Sequence, residues 1–205
     1  RTVLGKKYAD SGGEQALHVL RVLAAKPQTA NFIATKLARH FIADDPPASA
    51  VEKLRLTFLE TAGDLSRVSA ELVKMDEAWD EKLNKFKMPD EFHISAMRGL
   101  GADSIQRRTM RTTYGSLGQA PFSAPSPAGW PDESAAWLGP DAVKKRLEWS
   151  QAVAGRLGKR IDPRAFLSEV LGKSASDRTR KMVVGADSRE QGLTLALMAP
   201  EFQRR

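Results

Sequence analysis

Apolar residues recur along this chain at helical spacing. Ala30, Ile33, Ala34, Leu37, Ala38 and Phe41 follow one another at intervals of three, one, three, one and three, which puts all six on one helical stripe and leaves no strand alternative. Lys26-Pro27 ends one helix and starts this one, because proline cannot continue a hydrogen-bond ladder but suits a first turn. Upstream, Ser11-Gly12-Gly13-Glu14 has the spacing of a capping box and predicts a helix with Ala16, Leu17, Val19, Leu20, Val22 and Leu23 as its apolar face. Asp44-Asp45-Pro46-Pro47 stops the second helix. Val51, Leu54, Phe58 and Ala62 carry a third to Gly63, and Asp64 caps a fourth with Leu65, Val68 and Leu72 inward.

Beyond the charged stretch Asp76 to Lys87, Pro89 opens a helix with Phe92, Ala96 and Leu100 on one face. Further helices are expected over 104–117, 132–138, 141–157 and from Asp162-Pro163 to Gly172. A second capping box, Asp187-Ser188-Arg189-Glu190, precedes Leu193, Ala196 and Leu197. From Gly118 to Pro131 the period vanishes into Gly, Pro, Ala and Ser around Phe122 and Trp130. Those aromatics favour an ordered loop, with Trp130 largely buried. The predicted class is all-α, a multi-helix bundle of roughly eight to eleven helices. Residues 1–117 and 132–205 are expected to pack on the same core as one domain, joined by the loop 118–131.

Composition narrows the chemistry. Among 205 residues there is no cysteine, which removes disulfides, thiolate metal sites and cysteine nucleophiles. No apolar run approaches the roughly 18 residues of a spanning helix, so no membrane span is expected. The net charge of +7 favours acidic partners. Its basic clusters at Arg107, Arg108 and Arg111, Lys144 to Arg146, Lys159-Arg160 and Arg178 to Lys181 are scattered and mixed with acids, and read as solvated surface with no nucleic-acid partner. His18, His40 and His93 are the only imidazoles. His40 and Asp44 supply at most two ligands of a site that needs three or four, so no metal and no cofactor is assigned. Glycine-rich phosphate loops, G-x-S-x-G and H-E-x-x-H are missing.

Two segments offer candidate binding residues. In Lys85-Phe86-Lys87-Met88-Pro89-Asp90-Glu91, two lysines flank an aromatic before a helix N-terminus, where Lys85 and Lys87 would hold an anion, or with Glu91 line a cleft, or else be exposed lysines on a connector. In Gly129-Trp130-Pro131-Asp132, a stiff loop presents an indole, and Trp130 and Asp132 read as a ligand wall, or else Trp130 and Trp137 plug the gap between helices.

The motifs Gly13-Glu14-Gln15-Ala16-Leu17-His18-Val19-Leu20, Pro27-Gln28-Thr29-Ala30-Asn31-Phe32-Ile33-Ala34-Thr35-Lys36-Leu37, Asp44-Asp45-Pro46-Pro47, Gly63-Asp64-Leu65, Lys85-Phe86-Lys87-Met88-Pro89, Gly118-Gln119, Gly129-Trp130-Pro131 and Pro200-Glu201-Phe202-Gln203-Arg204-Arg205 run in order from end to end. As a set they resemble the bacterial family named domain of unknown function 1800. The resemblance implies a longer protein of which this chain is the C-terminal half, and the start at Arg1 fits a processed or trimmed chain. It further implies export to the periplasm or another extracytoplasmic site, and an alkaline-phosphatase-like envelope partner. No reaction, cofactor or catalytic residue comes with it. Lys26 stands where the family frequently has His, so no role of that His carries over. The expected function is an interaction or structural module of an exported envelope protein. The alternative is part of an enzyme or ligand-binding protein whose site a further N-terminal region completes.

Overall fold

The computed structural model describes residues 1–9, 11–80 and 83–205. Positions 81 and 82 of the charged stretch therefore lie outside the described residues. The chain divides into two compact units, Arg1–Lys82 and Leu83–Arg205, and each has a hydrophobic core built from its own residues. The loop at 118–131, expected to join two helical parts, falls inside the second unit.

The first unit opens with a hairpin of β1 (Thr2–Val3) and β2 (Lys6–Lys7), turned by Leu4 and Gly5 at positive φ. Four helices follow: α1 (Gly13–Ala24), α2 (Pro27–Phe41), α3 (Ala48–Glu60) and α4 (Leu65–Lys74). Pro27 and Asp64 act as expected, the first as an opening residue and the second accepting from the backbone N–H groups of Ser66 and Arg67. The N-cap of α1 is Gly12, at φ 60°, with no side-chain cap, so Ser11 does not form the expected box. The core collects Ala30, Ala34 and Ala38 of α2, Leu54 and Phe58 of α3 and Val68 and Leu72 of α4. Phe41 and Leu65, expected inward, are exposed, while Ile42 is buried just beyond the end of α2. No residue of α1 is buried.

The second unit holds α5 (Pro89–Gly99), α6 (Arg107–Ser116), α7 (Pro140–Leu157), α8 (Pro163–Val170), α9 (Asp177–Val184) and α10 (Arg189–Leu197). With the first unit this makes ten α-helices among the described residues and one two-stranded sheet, an all-α fold. Helix α10 is central: α7, α8 and α9 pack against it, and Gly192, Leu193, Ala196 and Leu197 are buried. A Cβ at Gly192 would lie 3.0 Å from Pro163 Cγ, so only the missing side chain lets α10 approach α8 this closely.

Some elements differ from the expectations. Over 132–138 the chain makes only a 3-10 turn at Ser134–Trp137. Helix α9 was hidden inside a basic cluster, yet the Ser176 hydroxyl caps it by accepting from the Thr179 N–H. The cap of α10 is Ser188, which accepts from the Gln191 N–H while Gln191 Oε1 accepts from the Asp187 N–H, one residue later than the expected Asp187–Glu190 pairing. Phe122, at φ 59°, points its whole ring into solvent. Trp130 is only half-buried, and the buried indole is that of Trp137. The reason is the 3-10 turn: it carries Trp137 inward and lets its Nε1 donate to the Pro131 carbonyl at 3.0 Å.

Candidate functional site

Lys85 to Met88 leaves the helical regime because Pro89 disfavours helix at the residue before it. The backbone of this extended stretch pairs with the segment after α10 through an antiparallel bridge between Phe86 and Arg204. Lys85 N–H donates to the Arg205 carbonyl at 3.0 Å, Arg205 N–H returns to the Lys85 carbonyl at 2.8 Å, and Lys87 N–H donates to the Gln203 carbonyl at 2.8 Å. Two segments more than a hundred residues apart are thus laid side by side.

Arg146 of α7 locks them. Its side chain is 1% exposed. Nη1 donates to Gln203 Oε1 at 2.7 Å and Nη2 to the Lys87 carbonyl at 2.5 Å, while the guanidinium lies 4.3 Å from the Phe86 ring centre and 5.1 Å from that of Phe92. Gln203 uses its amide to donate to the Leu197 carbonyl at 2.7 Å. Burial pushes Arg146 down to about 10, with the charge of Glu91 acting against the shift. It therefore stays protonated at neutral pH. The basic cluster Lys144 to Arg146, expected to be solvated surface, is not wholly so: its third member is a core residue. The buried stripe of α7 is Arg146, Ser150 and Ala154, which no search for apolar periodicity would find. Val143 and Leu147, the apolar alternatives, are exposed.

The residues singled out from sequence gather around this clasp. Lys85 is buried, with Nζ donating to the Asp132 carbonyl at 2.5 Å and lying 3.7 Å from Asp132 Oδ1. Glu91 Oε2 accepts from the Met88 N–H at 2.9 Å, and its Oε1 is ion-paired with Arg205 Nε at 2.7 Å. Lys87 Nζ donates to the Phe202 carbonyl at 2.8 Å and sits 4.4 Å from the centre of the Phe202 ring. Trp130 rests against Trp137 with ring centres 6.0 Å apart. Lys85 and Asp132 are in contact, and Lys87 and Glu91 each contact the 202–205 segment.

Lys87 differs from the others in two respects. It lines a cleft of about 610 Å³ in the second unit, whereas Lys85, Glu91, Trp130 and Asp132 do not. Its amine is also pushed down to about 8, chiefly by burial and further by the charges of Arg146 and Arg205, with Glu91 opposing. A neutral fraction of lysine near physiological pH is what a base or nucleophile needs, and a charged one in a cleft is what an anion needs. No group of three or more His, Asp and Glu side chains arranged for a metal occurs among the described residues. No described helix is long and apolar enough to cross a membrane.

The profile of the family described as protein of unknown function (DUF1800) matches residues 1–204. The chain belongs to that family. No curated protein and no solved structure matches it. Within this DUF1800 chain, Arg146 and Gln203 are the residues that sequence reading missed. Gln203 stands inside a recognised motif, Pro200-Glu201-Phe202-Gln203-Arg204-Arg205, which was the one available signal. Arg146 had none.

Proposed function

We propose that this DUF1800 chain is an interaction or structural module of an exported bacterial envelope protein, without a reaction of its own. The observation that carries the reading is the internal use of the candidate polar residues. Lys85, Glu91, Arg146 and Gln203 are all engaged in joining 85–91 to Asp132 and to 203–205. Groups held this way maintain a fold, and catalytic acids or bases need a free position for substrate. Family resemblance supports the extracytoplasmic location and an alkaline-phosphatase-like envelope partner, and the scattered basic surface supports a role without nucleic acid.

The test is purification of the full-length protein together with its genomic neighbour. Stable co-elution without turnover of phosphoesters, peptides or glycans is the expected outcome. One observation favours a second reading, in which a further region of the protein completes an enzyme or ligand site: Lys87 lines a cleft and is pushed down to about 8. Turnover by the full-length protein that disappears in Lys87→Met would replace the first reading with the second.

A further inference from the structure

Helix α1 has more apolar surface than its own unit covers. At 3.6 residues per turn, Val22, Val19, Leu23, Ala16, Leu20 and Leu17 form one arc of roughly 220°. On one side of this arc Val19, Val22 and Leu23 are half-buried. On the other, Ala16, Leu17, Leu20 and Ala24 are exposed, Leu20 by 61% and Leu17 by 44%. This outer side carries no charge. Glu14 and Arg21 stand along one edge of it, roughly two turns apart and so too far from each other to pair within the helix. Both are exposed, and neither makes a side-chain hydrogen bond or ion pair among the described residues. Along the opposite edge, a groove of about 340 Å³ runs between Ala16, Val19 and Leu20 of α1 and Val3 of β1.

We propose that this face of α1 binds the same face of a second copy of the chain, with the two helices antiparallel about a two-fold axis. The charges select both the partner and the direction. Reversing one helix against the other about a point between Leu17 and His18 sets Glu14 of each copy opposite Arg21 of the other, so two residues with no partner at home supply two ion pairs. A parallel pair would instead set Glu14 against Glu14 and Arg21 against Arg21. The antiparallel pair also brings opposite helix ends together. Because the outer side is uncharged, two chains of net charge +7 meet there without like charges in contact. The same rotation turns Leu20 of each copy toward the groove of the other, beside Ala16 and Val19, and withdraws Leu17 from water. Gly13, Ala16 and Ala24 are small enough to let the helices approach closely. A helix of 12 residues is roughly 18 Å long, so one such pair buries less than the roughly 1,200 Å² of a stable complex, and the dimer is a weak one that forms near roughly 100 μM. The contact goes beyond the interaction reading and does not use the envelope partner, so loss of self-association and loss of partner binding are separate results.

The experiment is sedimentation velocity of the 205-residue chain over a range from roughly 10 μM to 1 mM, with thermal melts followed by circular dichroism to establish that each variant is folded. The sedimentation coefficient of the unaltered chain is expected to rise with concentration toward that of a dimer. Leu20→Asn, Glu14→Arg and Arg21→Glu, all at exposed positions, should each weaken the dimer about tenfold, the charge changes by turning both ion pairs into like-charge contacts. Glu14→Arg combined with Arg21→Glu in one chain exchanges the two ends and should restore association. Mixing the two single variants should likewise give a heterodimer where neither associates well alone. A monomer across the whole range, which would leave the face to some other segment or protein, undiminished association of Leu20→Asn, or no recovery in the doubly altered chain would overturn the proposal.

Discussion

Burial makes His93 a group that resists protonation. It lies in α5 with no exposed surface, edge-on to Tyr114 at 5.4 Å and to Trp149 at 5.5 Å, and neither ring nitrogen has a hydrogen-bond partner among the described residues. Desolvation lowers its basicity. The unfolded chain then binds a proton near pH 6.5 that the folded chain refuses. Stability from this group is present above the unfolded value and is lost as pH falls below it. Melting temperatures of the native chain should decline from about pH 6.5 downward, and His93→Phe should flatten that decline. A decline of equal slope in the variant would assign the acid sensitivity elsewhere. The two indoles provide a second contrast. Trp137→Ala should cost about 3–5 kcal/mol, the range for a buried large aromatic, whereas Trp130→Ala, at a half-buried ring, should cost distinctly less in the same denaturant titration.

At the scale of elements, the helices begin where side chains close their ends. Asp64 answers two of the unpaired N–H groups of α4, so Asp64→Ala should destabilise the first unit by about 1 kcal/mol. Asp64→Asn, which keeps an acceptor, should restore most of it in thermal melts. An equal loss in both variants would point to charge rather than capping. Helix α1 is the opposite case. Its apolar residues sit at helical spacing, yet Leu20 is 61% exposed and none of the helix is buried. The same hydrophobic pattern that buries α2 leaves α1 only partly covered, with Val19, Val22 and Leu23 half-buried, because a stripe specifies a side without supplying all that is needed to cover it.

Across the whole molecule, stability comes from two cores with no residue in common. Phe58 belongs to the first, and Phe92 and Phe202 to the second. Phe58→Ala is expected to speed amide exchange in α2 to α4, and Phe92→Ala in α5 and α7 to α10, each at a cost of about 3–5 kcal/mol. Uniform loss of protection in both units from either change would show that they unfold as one. The clasp formed by Arg146 belongs to the second unit and ties its first segment to its last. Removing one partner of such a buried network leaves the other unpaired, which is why a single conservative change at Arg146 or Gln203 should be felt along the whole 85–91 stretch.

What the sequence alone determined is largely local. Pro27, Pro89 and Pro163 at helix starts, Asp64 and Asp162 as caps, and the spacing of Ala30 to Ala38 all act within one or two turns. Helix hydrogen bonds span four residues, so short-range signals suffice to define them. The all-α class and the family resemblance were legible for this reason. On some helices the buried face was decided only by packing: Arg146 took the core position on α7, His93 was buried beside the expected Phe92 and Ala96 on α5, and no residue of α1 became fully buried. The site was legible as a list of residues but not as an arrangement. Lys87 meets Phe202 and Arg146 meets Gln203 across intervals of 115 and 57 residues, and contacts at such range leave no periodicity in the chain. They arise from the folding of α5, α7 and α10 onto one core, where burial turns ordinary surface cations into a clasp and a charged cleft.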